Sequence, residues 1–178
     1  MKRILAPVAV AAAFVATPAM AQDTDTDLGG FFVGGVVGYD VVNVDTGTVE
    51  DDEGFIYGIT AGYDVDAGPA LVGVEVEWTG TSLDELVNER SDDFYAGVRG
   101  GLQVDSNDIV YLKAGYTNVS LTDESVEGVR IGAGLEHHFG GFVVRAEYRY
   151  SNYDVTDFLG FDGNANRNQA VLTIGGKF

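Results

Sequence analysis

Cysteine is absent from the chain. Disulfides and thiolate metal sites are therefore excluded, and the protein has to be stabilised by other means. Positive charge is scarce: ten Lys and Arg stand against 28 Asp and Glu. Such a chain lacks the basic footprint that nucleic-acid binding requires. Histidine is limited to His137 and His138. Long apolar runs are missing too. Past residue 21 no stretch approaches the ~20 apolar residues of a spanning helix. A membrane form of this chain has to be a closed sheet.

What is present begins with an export signal. Lys2 and Arg3 precede an apolar run from Ile4 to Val15, and Ala19-Met20-Ala21 is a small-x-small cleavage pattern. Residues 1–21 are read as a signal peptide cut between Ala21 and Gln22. Two basic residues leave with it, so the remaining chain carries 8 − 28 = −20 formal charges. Residues 22–29, with Asp23, Asp25 and Asp27, are read as a flexible leader, and residues 30–178 as one domain.

Glycine, aromatic and β-branched residues favour strands over helices. Period-two alternation marks eight segments: Phe31–Val41, Phe55–Val65, Leu71–Thr79, Asp93–Val104, Ile109–Ser120, Gly128–Phe139, Phe142–Tyr153 and Arg167–Phe178. Each is near the ~9–11 residues a tilted strand needs to cross a bilayer. The connections alternate in length. Short ones are Asp66–Pro69, Asp105–Asp108 and Gly140-Gly141; long ones are about 42–54, 80–92, 121–127 and 154–166. Short turns at one end and long loops at the other are the habit of outer-membrane barrels. The fold class is all-β: an eight-stranded antiparallel up-and-down transmembrane β-barrel.

One face of every strand is apolar. The other carries Asp40, Asp64, Glu75, Glu77, Glu136 and Glu147 with Arg99, Lys113, Arg130, Arg145, Arg149 and Lys177. Six acids meet six bases in a strongly acidic chain. Enclosed charges must pair to offset desolvation, so this face is expected to line the lumen. Most glycines share its parity, as a crowded eight-stranded interior requires. Aromatics gather at strand ends. Phe31, Tyr63, Phe139, Phe142 and Phe178 fall at one end; Tyr39, Phe55, Trp78, Phe94, Tyr116 and Tyr150 fall at the other. They are read as two interfacial girdles. The Gly140-Gly141 hairpin sets Glu136 opposite Arg145, which predicts an ion pair there. Glu75 and Glu77 are expected to pair with Arg99 or Lys113.

With these residues in place, the chain resembles the small eight-stranded outer-membrane barrels of the OmpA transmembrane-domain and OmpX type. The glycine-rich first strand, Phe31-Phe32-Val33-Gly34-Gly35-Val36-Val37-Gly38-Tyr39, is similar to the porin-like outer-membrane β-barrel family. The resemblance covers residues 30–178. It implies location in the bacterial outer membrane and recognition of the terminal strand by the barrel-assembly machinery, through Phe178, Ile174 and Leu172. Gly176 departs from the bulkier residue usual at its position.

The resemblance and the residues together point to a structural or surface role, in contact with outer-membrane lipid and lipopolysaccharide. His137 and His138 sit beside a short turn, away from the outer rim, so catalysis is not expected; nor is a cofactor. The acidic long loops (for example Glu50-Asp51-Asp52-Glu53) are candidates for Ca²⁺ or Mg²⁺, since hard cations take oxygen ligands. Alternatives are a narrow channel for small polar solutes or ions, a surface adhesin, and a soluble periplasmic ligand-binding barrel with its apolar face turned inward.

Overall fold

The computed structural model describes residues 28–44, 52–83, 91–120, 125–154 and 164–178. Eight antiparallel strands close into one barrel in chain order. They are β1 (Gly30–Val44), β2 (Asp52–Ala67), β3 (Ala70–Leu83), β4 (Ser91–Asp105), β5 (Asp108–Ser120), β6 (Ser125–Phe139), β7 (Phe142–Asp154) and β8 (Asn164–Lys177). Closure is by β1 on β8, where Gly34 faces Gly175 and Phe32 faces Lys177. Phe31 and Phe178 exchange backbone hydrogen bonds of 2.9 and 2.8 Å.

Every predicted strand is present, and several run further at the loop end. β3 continues past Thr79 to Leu83, β6 begins at Ser125 and β8 at Asn164. The cause is that backbone pairing persists after the side chains turn polar, as at Thr81↔Ser91 and Ser120↔Ser125. Apolar alternation cannot register that. The predicted four-residue turns also tighten, because Ala67 pairs with Ala70 and Asp105 with Asp108. Gly68 (φ 77°) and Gly140 (φ 65°) each open a two-residue turn. Positive φ at the first central position is the type II′ arrangement, whose twist matches the flanking strands. Pro69, at the second position, fits it because its φ is fixed near −65°.

A barrel requires its register to stagger. From Asp40 the paired positions run through Gln169, Arg149, Gly132, Lys113, Arg99, Gly73 and Asp64 to Gly30, so one circuit descends 40 − 30 = 10 residues. That circuit follows inward-facing positions throughout, and it winds the charged side chains into a spiral.

Which face lines the lumen is now settled. Leu112 and Leu135, in mid-strand, are 68% and 59% exposed, while Arg130 and Asp40 are 0% exposed. A soluble protein would bury the leucines. The soluble ligand-binding barrel is therefore overturned: the apolar face points outward and the charges in.

The interior is less uniformly polar than its small, charged residues suggest. Phe32, Val36, Ile56, Tyr95, Ile109, Tyr111, Val143 and Val171 are buried there as well. Glycines make room for them. A Cβ on Gly97 would stand 2.2 Å from the Tyr95 hydroxyl and 2.5 Å from the Ala114 carbonyl oxygen. On outward-facing Gly35 and Gly100 it would meet nothing within 4 Å. The assigned leader also needs correction at its end. Leu28 is buried with Leu71, Ile109 and Tyr111 at the turn end of the lumen, because its apolar side chain finds an apolar floor there. Residues 22–27 of the leader and the signal-cleavage residues Ala21 and Gln22 lie outside the described residues.

Candidate functional site

Inward parity on tilted strands brings fourteen charged residues together in one connected series, acid and base alternating. At the turn end, Lys177 Nζ donates to Asp64 Oδ2 at 3.0 Å. Asp64 Oδ1 lies 3.2 Å from Arg99 Nε. Arg99 Nη2 donates to Glu136 Oε2 at 2.6 Å, and Arg145 Nε reaches the same oxygen at 2.7 Å. Arg145 Nη1 then donates to Glu75 Oε2 at 2.9 Å.

The middle of the lumen continues the alternation. Lys113 Nζ lies 2.7 Å from Glu75 and 2.9 Å from Glu147. Glu147 is held by Arg149 Nε and by the Tyr111 hydroxyl, the latter at 2.7 Å. Arg149 clasps both oxygens of Glu77, at 2.5 and 2.7 Å. This is the bidentate geometry that makes guanidinium–carboxylate pairs strong. Towards the loop end, Glu77 stands 3.7 Å from Arg130 Nη1. Arg130 bonds Asp93; Arg167 bonds Asp93 at 2.8 Å and Asp40 at 2.7 Å.

Seven acids meet seven bases, and each side chain in the series is at most 6% exposed. Aromatic rings insulate it. Arg145 lies over the Phe32 ring at 3.7 Å, Arg99 over Tyr111 at 4.5 Å and Lys113 over Tyr95 at 4.7 Å. Such contacts gain strength when desolvated. Thr117 and Ser151 complete the loop-end layer, at 2.6 Å from Asp93 and 2.9 Å from Arg130.

All nine residues expected in a lumenal charge network, namely Glu75, Glu77, Arg99, Lys113, Arg130, Glu136, Arg145, Glu147 and Arg149, lie in this series. Glu136 and Arg145 are cross-strand partners at 2.7 Å. Glu77 differs from expectation. Its partners are Arg149 and Arg130, not Arg99 or Lys113. Alternation assigns a face but not the neighbour across the lumen, and β3 meets β7 there. Asp93 and Arg167 join the series beyond the expected set. Both lie near strand ends, yet each has inward parity, and counting parity to the strand end recovers them.

The aromatic residues expected in girdles all point outward and are exposed. His137 lies outside, at 2.5 Å from Asp108 and against the Phe139 ring. His138 is buried, at 2.7 Å from Glu136 Oε1. The acidic segments 45–51, 84–90, 121–124 and 155–163, which hold most candidate cation ligands, lie outside the described residues.

An apolar exterior around a closed, charge-paired lumen defines a transmembrane β-barrel. The outer membrane protein beta-barrel domain family matches residues 8–178, and the chain belongs to that family. It resides in the bacterial outer membrane. Among solved structures it is similar to Neisserial surface protein A, at 16% identity and a TM-score of 0.60, covering 84% of this chain and 97% of that one. It is also similar to Ail, the attachment invasion locus protein of Yersinia pestis, at 19% identity and 0.53, covering 84% and 99%. The N-terminal barrel domain of Pseudomonas aeruginosa OprF matches at 15% and 0.52, covering 84% and 99%. These likenesses are of fold. No curated protein sequence matches the chain.

Proposed function

We propose that the protein is a sealed structural barrel that anchors acidic surface loops in the outer membrane, and that it is neither a conducting pore nor an enzyme. The turn end and both termini of the mature chain face the periplasm in this reading, and the loop end faces outside. The observation that carries it is the alternating charge series running from Lys177 to Asp40. Opening a water path would part buried ion pairs of this series, and breaking a buried pair costs about 3–5 kcal/mol. Eight strands leave an interior that side chains can fill.

The exposed aromatics at the two strand ends serve as interfacial girdles, and Phe178 is the residue the assembly machinery reads. The loop carboxylates bind divalent cations that bridge to lipopolysaccharide phosphates. Planar-bilayer recording tests the sealed reading: the wild-type protein stays silent, and stable openings in it would favour the narrow channel instead. The series is thinnest at the 3.7 Å contact of Glu77 with Arg130, so Arg130→Ala is where conductance is expected first. Adhesion is the competing surface role, and it is read by binding of cells bearing or lacking the protein.

A further inference from the structure

The outward face differs around the barrel at its loop end. On β1 to β4 it presents Tyr39, Phe55, Trp78 and Phe94. On β7 and β8 it presents a polar ladder of Tyr148, Tyr150, Asn152, Asn166 and Asn168. The Tyr148 hydroxyl donates to Asn168 Oδ1 at 2.7 Å, and the Tyr150 hydroxyl to Asn166 Oδ1 at 2.7 Å. Asn152 Nδ2 donates to the same Asn166 oxygen at 2.8 Å. Register sets Tyr150 opposite Asn168 and Asn152 opposite Asn166. Each tyrosine therefore reaches diagonally to the next rung, a distance that long side chains span.

The ladder has a definite polarity. A side-chain amide offers one acceptor oxygen and two N–H donors. The oxygens of Asn166 and Asn168 are taken by the protein's own donors, so what these amides have to offer a partner is N–H donors. The tyrosine rings beside them are exposed. Among the described residues no Lys or Arg joins the ladder: Arg167, between the two asparagines, points inward to Asp40 and Asp93. Below it the same two strands continue outward as Ala170, Leu172 and Ile174, and as Ala146 and Val144. A fitting partner has an oxygen-rich head without need of a cationic contact, and an apolar body that lies down the barrel wall.

We propose that this ladder binds the sugar headgroup of an outer-leaflet glycolipid, with its acyl chains along the apolar face beneath. Sugar hydroxyl and ring oxygens accept from the asparagine N–H groups, and the C–H faces of a pyranose stack on tyrosine rings. The site rests on the outward placement of the loop end proposed above. It is separate from cation bridging at the loops, which would engage phosphate.

The test uses the full barrel in phospholipid nanodiscs containing purified lipopolysaccharide, released into mild detergent for native mass spectrometry. Wild-type protein is expected to retain lipopolysaccharide. The Asn166→Ala/Asn168→Ala double variant should retain about tenfold less, as the loss of two hydrogen bonds implies. Trp78→Ala, on the other half of the rim, should retain as much as wild type. Equal loss in Trp78→Ala, or full retention in the double variant, overturns the proposal. Loss of a dimer in place of glycolipid assigns the ladder to a second copy and also overturns it. Asn168→Asp keeps the shape but removes the donor, and it carries the same expectation if the double variant misfolds. Protease added to intact cells tests the loop-end placement independently, by cleavage within residues 84–90 or 155–163.

Discussion

The lumen and the outer surface treat charge in opposite ways. Inside, seven acids are matched by seven bases in one alternating series. Seven of the ten basic residues in the sequence belong to this series; the remaining 10 − 7 = 3, namely Lys2, Arg3 and Arg90, fall outside the described residues. Acids are left over: Asp66, Asp92, Asp105 and Glu127 sit at strand ends and turns, open to solvent. The difference teaches where pairing is obligatory. Water solvates a carboxylate at a strand end at little cost, whereas a carboxylate in a filled lumen needs a partner. The chain spends nearly all its positive charge where solvent cannot substitute for it.

The sharpest way to break this contrast is to remove one lumenal base. Arg145→Leu leaves Glu136 and Glu75 short of a partner and removes the guanidinium over Phe32. A loss of about 3–5 kcal/mol is expected, read as a lower urea midpoint of the refolded barrel in detergent. Asp157→Asn, in a long loop, should leave that midpoint in place. Equal midpoints for the two would mean that the lumenal pairs add nothing.

The next largest effect comes from moving charge to the wrong face. Leu112→Arg puts a cation on the lipid side in mid-strand, where about 2–4 kcal/mol is lost. Folding into bilayers of defined composition measures it, and an unimpaired variant would argue against burial of that face in lipid. The smallest comparison sets two glycines of β4 against each other. Gly97→Ala collides with Tyr95 and the Ala114 carbonyl and should cost about 1–3 kcal/mol. Gly100→Ala points into open space and should stay within about 0.5 kcal/mol of wild type. Reversal of that order would remove crowding as the reason for the inward glycines.

Much of this was legible in the residues. Period-two alternation located each strand, and parity separated lipid-facing Val98 from lumenal Arg99. The Gly140-Gly141 turn placed Glu136 against Arg145, because a two-residue hairpin fixes register locally. The partners of Glu77 were not legible. They depend on the stagger of the closed sheet, which brings β3 and β7 together across the lumen. Nor was the fate of Leu28, an isolated apolar residue in an acidic stretch, since the floor it meets is assembled from β3 and β5.

The sequence by itself determined the eight strands, their two faces and the near-neutral balance of the inward one, because these follow from alternation and composition. Only the tertiary structure decided how the stagger threads the inward charges into one series, and that Asp93 and Arg167 complete it at the loop end. The physical reason is that alternation is a property of neighbours along a strand. Pairing across a lumen is a property of closure, and no single strand contains it.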